Sequence, residues 1–576
     1  MPDERHARYP WRCLGTSQRW LVGCAVLAGA ALRFYGLGGR DFWFDESCTF
    51  IYVRSLFCWP DTSDLLREST NLPYYFVLRG WVAVFGESEA AYRALSAFCA
   101  TLTIPVLSLA ARRLGGPPAG VVCAVVVALH PLHVYYAHEA RAYALWVLLL
   151  SIALWLVINA ALEGGWKWWA AYAVALLACL HVHYFTLYWL PASIACVLLD
   201  ERRGRAFRRW VVAHAAVGLL FLPYFCAAVW PAGRGGGGAW LSDESSAENL
   251  FALIPRSLWA FLPAGGYPAH LRGLSLLAPD TVRAGPDWLA ALARWLPAVT
   301  VAGIGSYLVI KGVRMNLWGP CGIGVTKGFH LHRRSQENHP DTFSTHVFLA
   351  GMTVLPLCLA CAYSVLVRFN YLVARYDLVA WPAFVVWTAV VIAAFSRTVS
   401  PGRAGRAALA ICLPLALCAA VPNRRMAALK PPPTFHNLRA QRLAEIAGKD
   451  DLVVAFSYDR DYLLYCLDRA HFAGRIVSFP SWLDDQIGWV DTAADRSPEK
   501  AEALGADADS LVGEIEKAVD RGNTVWLLGD SHERGGDWPR TSINRRLITA
   551  LAESGYEGEP FDMRYLIYRV RRASVR

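Results

Sequence analysis

Apolar stretches separated by short polar connections run along the chain as far as Val421 and then stop. A helix needs about 20 apolar residues to cross a hydrocarbon core. On that scale the pattern predicts eleven crossings: 20–38, 90–111, 118–134, 141–162, 168–182, 184–199, 210–229, 288–310, 346–367, 374–396 and 405–421. The stretch Leu72 to Gly86 is apolar but short and runs into Glu87-Ser88-Glu89. It predicts a helix lying along the membrane interface. The first segment is long and lacks a small-residue cleavage site, so it reads as a retained anchor and not a removed signal.

Beyond Val421 the period changes. Lys430-Pro431-Pro432-Pro433 reads as a stiff linker. Strands are predicted at Asp451 to Phe456, Arg475 to Phe479, Thr524 to Gly529 and Met563 to Val570, and helices at Tyr458 to Asp468, Glu499 to Asp520 and Ile543 to Gly555. The expected fold is therefore a polytopic α-helical membrane protein with about eleven transmembrane helices and a C-terminal α/β domain. Its divisions are 1–19, a cytoplasmic N-terminus; 20–424, the membrane domain; and 425–576, an extracytoplasmic domain. Neither GxGxxG nor GxxxxGKS occurs in the α/β part, so a nucleotide site is not indicated there. Gly529-Asp530-Ser531-His532 reads as an ordinary strand end.

Composition agrees. Of 576 residues, 55% are hydrophobic and 18% charged, against about 25% charged in soluble chains. The mean hydropathy is +0.31. The net charge of +10 is spread in small clusters between apolar spans, such as Arg202 to Arg209. That is the positive-inside bias of cytoplasmic loops rather than a nucleic-acid face. It orients the chain with the N-terminus inside, in a plasma (inner) membrane, and with the C-terminal domain outside. The fifteen Cys lie mostly in apolar spans, where a thiol packs as a small hydrophobe. Cys358 and Cys361 form a CxxC by spelling only; Cys48 and Cys58 share an outer loop, where a disulfide would fit.

Three outer clusters hold the reactive residue types. Asp41-Phe42-Trp43-Phe44-Asp45-Glu46 follows the first span. Adjacent carboxylates are costly beside lipid and do nothing for insertion, which points to surface chemistry. The second is His130 to Tyr143, where Glu139 and Arg141 stand at a span entrance. The third contains Arg375-Tyr376; an outer-facing guanidinium suits a phosphate.

These segments carry a family resemblance, in order, over roughly residues 20–400. They are the Asp-Glu after the first span, Leu72-Pro73-Tyr74-Tyr75, Ser88-Glu89-Ala90-Ala91-Tyr92-Arg93-Ala94-Leu95-Ser96-Ala97, Tyr135 to Leu145, His183-Tyr184-Phe185 and Ala374-Arg375-Tyr376. The chain resembles the C-type (GT-C) membrane glycosyltransferases of the bacterial protein O-mannosyltransferase and lipid A aminoarabinose transferase group. The resemblance implies an inverting transfer of a sugar from a polyprenyl-phosphate donor to an acceptor hydroxyl of a lipid, glycan or protein at the outer face. It makes Asp45 the catalytic base, with Glu139 a second catalytic carboxyl. Glu46, Arg93, His138, Arg141, Tyr143, Tyr184, Arg375 and Tyr376 become the candidate substrate-binding residues. Some members hold a divalent cation, for which Glu46, His138 and His183 are the candidate ligands, although no local metal-ligand spacing is present. The chain departs from the family at Asn71-Leu72-Pro73-Tyr74, where His-Pro-Pro-Leu is common, and at His138, where Gln is usual. The loop Gly312 to Phe343 reads as an insertion. A transporter or flippase for a lipid-linked sugar is the alternative, but no internal repeat supports it.

Overall fold

The computed structural model describes residues 16–56, 71–200, 203–230, 254, 257–258, 260–262, 342–367, 375–399, 410, 435–456, 460–481, 498–529 and 542–573. The predicted spans 288–310 and nearly all of 405–421 lie outside the described residues. So do the 312–341 loop, the Lys430 to Pro433 linker, Cys58 and Arg368 to Ala374.

The membrane part opens with α1 (Thr16–Phe34), α2 (Phe44–Ser55), α3 (Leu72–Phe85) and α4 (Glu89–Leu129). It continues with α5 (Pro131–Ala137), α6 (Tyr143–Glu163) and α7 (Trp166–Val182). Short turns cover Tyr184–Leu199, followed by α8 (Arg203–Tyr224), α9 (Thr342–Val367) and α10 (Trp381–Val399). Glu89–Leu129, Tyr143–Glu163, Arg203–Val229 and Phe343–Tyr363 are long and apolar enough to cross a bilayer. Leu72–Phe85, Tyr184–Leu199 and Trp381–Arg397 are shorter apolar helices. Outward-facing Leu27, Val84, Leu219 and Leu220 leave apolar surface exposed, as lipid contact requires. The chain is a multi-pass helical membrane protein.

Several predicted spans change in detail. Span 90–111 and residues 118–129 of span 118–134 both fall within α4, which if straight would extend about 60 Å, twice a hydrocarbon core. It is broken at Gly116, whose φ of 76° is left-handed. Pro117 and Pro118 restart the helix, and Ser108 Oγ donates to Gly120 O at 2.9 Å across the break. The second half ends at Leu129 because His130-Pro131 opens a separate helix; a proline at the first turn needs no N–H partner. The predicted crossing 184–199 is irregular. Tyr184–Tyr188 and Ser193–Leu199 are 3-10 turns around a four-residue α-helix, Trp189–Ala192. Trp146 Nε1 donates to Thr186 Oγ1 at 2.8 Å and pins the first of them. The helix α2, read in sequence as an acidic loop, was not anticipated.

In the C-terminal part α11 (Phe435–Ile446) precedes β1 (Leu452–Phe456), α12 (Arg460–Arg469), β2 (Arg475–Phe479), α13 (Pro498–Asp520), β3 (Val525–Leu528), α14 (Ser542–Glu553), β4 (Tyr556–Asp562) and β5 (Ile567–Arg572). Sheet order is β2-β1-β3-β5-β4, with β1 parallel to both neighbours and β5 antiparallel to β3 and β4. Strand β4 and helix α11 were not predicted. Glu557, Gly558, Glu559 and Pro560 give β4 little strand propensity, and its pairing to β5 decides it. Helix α12 packs on α2, so this part reaches the first acidic segment.

A side chain at Gly116 would strain the break in α4. Gly116→Val is expected to cost about 1–3 kcal/mol, read as a lower thermal midpoint in detergent; an unchanged midpoint would count against the left-handed break at Gly116.

Candidate functional site

Two neighbouring carboxylates meet different fates. Asp45 and Glu46 both stand in the first turn of α2, and successive helical side chains diverge by about 100°. Glu46 turns inward. Its Oε2 lies 2.6 Å from Arg93 Nη2, and Arg93 Nε donates to Oε1 at 2.8 Å. Ala140 N donates to Oε1 at 2.8 Å, and both side chains of the ion pair have 0% exposure. Arg93 spends its other donors on Leu37 O, Arg40 O and Asp41 O, at 2.8, 2.7 and 3.0 Å. Burial would raise the Glu46 pKa, but the Arg93 guanidinium overrides it and holds the carboxyl below its usual range. The pair thus joins the 37–41 loop, α2, α4 and the 139–141 turn.

Asp45 faces the other way. Arg375 Nη2 donates to Asp45 Oδ2 at 2.5 Å, and Arg141 Nη2 lies 3.6 Å from the same oxygen. Arg141 Nη1 also donates to the Asp45 carbonyl at 3.2 Å. The three side chains keep 19%, 16% and 18% exposure, so the group is accessible where the Glu46–Arg93 pair is not. Burial alone would lower the arginine pKa values. The charge of Asp45 raises Arg141, while Tyr143 and then Asp45 raise Arg375.

An aromatic wall adjoins the cations. Tyr143 OH accepts from Arg375 Nε, and the guanidinium lies 5.5 Å from the Tyr143 ring and 5.8 Å from that of Tyr376. Tyr376 meets Phe185 at 4.5 Å, and His183 stacks on Trp146 at 4.2 Å and on Tyr184 at 5.6 Å. Glu139 sits behind this group, buried, accepting from Tyr135 OH. Burial raises its pKa to about 7.

Of the sequence-predicted residues, the structure gathers Asp45, Arg141, Tyr143, Arg375 and Tyr376 directly. Glu46 and Arg93 are sealed beneath them. His138 is turned away: its Nε2 pairs with Leu32 O at 3.1 Å, its carbonyl accepts from Arg40, and burial lowers its pKa to about 4. The candidate cation ligands therefore do not converge. Glu46 is committed to Arg93, His138 to Leu32 O, and His183 to an aromatic stack. Among the described residues no group of three His, Cys, Asp or Glu side chains could hold a metal ion. Cys48 is a free, buried thiol whose Sγ faces Asp461 Oδ2 at 3.8 Å.

Sequence reading missed partners from the C-terminal part. Asn437 Nδ2 donates to Asp41 Oδ2, and Tyr465 OH bonds both Phe42 N and Glu89. No local signal announces contacts across about 400 positions.

Residues 72–230 match the family model described as dolichyl-phosphate-mannose-protein mannosyltransferase. The resemblance to the GT-C membrane glycosyltransferases is thereby borne out. No curated protein matches the chain. Solved structures similar to it include ArnT from Cupriavidus metallidurans bound to undecaprenyl phosphate, at 12% identity, with 96% of this chain and 98% of that chain covered and a TM-score of 0.48. Another is the archaeal oligosaccharyltransferase AglB from Archaeoglobus fulgidus in complex with an inhibitory peptide and a dolichol-phosphate. It is 12% identical, with 89% of this chain and 69% of that chain covered and a TM-score of 0.43.

Removing one member of the sealed pair strands the other. Glu46→Gln is expected to destabilise by about 3–5 kcal/mol, and Glu46→Leu combined with Arg93→Met by clearly less; thermal midpoints of the wild type and these two variants check this. Glu139 has a folded-state pKa near 7, above its ordinary 4.5. Its contribution to stability is complete below the lower value and lost as pH rises through the upper one. Glu139→Gln keeps the neutral form throughout. Its midpoint should exceed that of the wild type at about pH 8 and match it at about pH 4; parallel curves would contradict the shift.

Proposed function

We propose that this protein is an inverting glycosyltransferase, moving a sugar from a polyprenyl-phosphate-linked donor to an acceptor hydroxyl at the outer membrane face. The observation that carries the reading is the accessible Asp45 carboxylate set between Arg141 and Arg375. It stands in a chain whose residues 72–230 match a mannosyltransferase family. A transferase needs a base beside cations; a flippase does not.

Asp45 takes the acceptor O–H proton as that oxygen forms its bond to the anomeric carbon. The bond between that carbon and the phosphate oxygen breaks on the opposite face, and the electron pair leaves with the phosphate. A single displacement of this kind inverts configuration. Arg375 and Arg141 neutralise the charge that accumulates on the leaving phosphate, which is worth most in a site sheltered from water. Arg375 exchanges Asp45 for the donor phosphate as that group arrives. Tyr143, Tyr184 and Tyr376 offer ring faces to the sugar or the prenyl chain. Glu139, poised near neutrality, orients the site from behind. Glu46 and Arg93 act by holding Asp45 in place instead of touching substrate. Glu46, His138 and His183 are committed to Arg93, Leu32 O and the Trp146 ring and do not fit a cation.

The packing of α12 on α2 supports placing residues 425–576 on the same side of the membrane as Asp45, with the N-terminus cytoplasmic and the chain in the plasma membrane.

Membranes bearing the wild-type chain should release sugar from one member of a panel of polyprenyl-phosphate sugars when acceptor lipids, glycans and peptides are supplied. Asp45→Asn, at equal membrane level, should lower that rate by about 10²- to 10⁴-fold. Equal turnover in the two would remove Asp45 from the reaction. Arg375→Lys keeps the charge but loses the planar fork, and should raise the donor KM as well as lower kcat; unchanged constants would take the phosphate away from Arg375.

A further inference from the structure

We infer that Tyr465 of the C-terminal domain is a positioning residue for the Asp45 carboxylate. The inference rests on the proposed role of Asp45.

Tyr465 lies on α12, and its hydroxyl joins two backbone entrances. It accepts a hydrogen bond from Phe42 N at 3.1 Å and donates one to Glu89 Oε1 at 3.0 Å. Phe42 stands just before α2, three residues ahead of Asp45; Glu89 is the first residue of α4, one turn ahead of Arg93 on the same helix face. The phenol thus spans the two helix starts whose side chains form the sealed Glu46–Arg93 pair. Its ring is wedged between Phe42, at 5.0 Å, and Phe50, at 5.5 Å. Phe42 in turn packs under the Arg93 guanidinium at 5.1 Å.

The Glu46–Arg93 pair fixes α2 from beneath, and Arg93 and Asn437 hold Asp41 just ahead of it. Tyr465 adds the hold on the Phe42 amide, the backbone donor next in line. A hydrogen bond sheltered between the Phe42 and Phe50 rings gains strength from that shelter and is costly to leave unmade. Tilting the start of α2 by a fraction of an ångström moves Asp45 relative to both arginines, and displacements near 1 Å can cost about 10²-fold in rate. The domain after residue 425 thereby sets the register of the base without touching the substrate.

The decisive variant is Tyr465→Phe in the full-length protein, which keeps the ring and deletes only the oxygen. Three readings are taken: steady-state constants with the active polyprenyl-phosphate donor, hydrogen exchange of the peptide spanning residues 42–50, and the thermal midpoint. The expected result is a kcat about tenfold lower with the donor KM within about twofold. Exchange should accelerate at residues 42–46 alone. An unchanged kcat overturns the proposal. So does a loss of kcat accompanied by faster exchange across the whole chain and a falling midpoint, since that marks a merely structural tyrosine. Should the wild type transfer no sugar from any donor, the functional reading fails separately. The exchange measurement then decides alone: local acceleration at residues 42–46 supports the coupling, and its absence overturns it.

Discussion

The buried pair of Glu46 and Arg93 is the constraint on which the candidate site of this protein depends. Two charges removed from water carry a desolvation cost of several kcal/mol each, and mutual attraction repays it only when the remaining donors and acceptors are satisfied. Here Glu46 accepts from Arg93 and from Ala140 N, while Arg93 binds three carbonyls of the 37–41 loop. Four segments must come together for the pair to exist. Its value lies in specifying one arrangement more than in net stability.

That arrangement explains why the neighbouring Asp45 is available. With Glu46 directed inward, the helical turn sends Asp45 toward Arg141 and Arg375, which arrive from two other connections. Two guanidinium groups around one accessible carboxylate make a locus suited to exchanging anions. In the proposed reaction the carboxylate is released as the donor phosphate takes its place. The aromatic wall from Tyr143 to Tyr376 gives the same locus an apolar side, as a lipid-linked substrate would require.

The C-terminal domain is joined to this locus by several unlike contacts. Tyr465 bonds the entry to α2, Asn437 reaches Asp41, and Arg54 of α2 pairs with Asp468 at 2.7 Å. The last of these is exposed and contributes little. The sheltered ones bind the register of α2 to the fold of the domain. An α/β unit of this kind, without a nucleotide motif of its own, has a structural reason to be there.

Much of the molecule was legible in the sequence for plain physical reasons. Apolar length and the bias of basic loops give a multi-pass helical protein, because lipid admits few other solutions. Period-two runs bounded by polar turns located β1, β2 and β3 and the helices between them. Order along the chain also singled out Asp45, Arg141 and Arg375, since outer-facing charge at a helix end is costly without a purpose. The sequence set Asp45 apart from Glu46 only through the family resemblance and could not show that Glu46 is the sealed carboxylate, because that depends on the arrival of Arg93 and of Ala140 N. It could not show that Gly116 breaks α4, that residues 184–199 wind as 3-10 turns or that His138 turns to Leu32 O. Nor could it reveal that a tyrosine more than 400 residues beyond Phe42 closes over its amide. Local pattern determines what a segment can become; desolvation and the pairing of buried polar groups, which act only between segments already brought together, decide what each residue does.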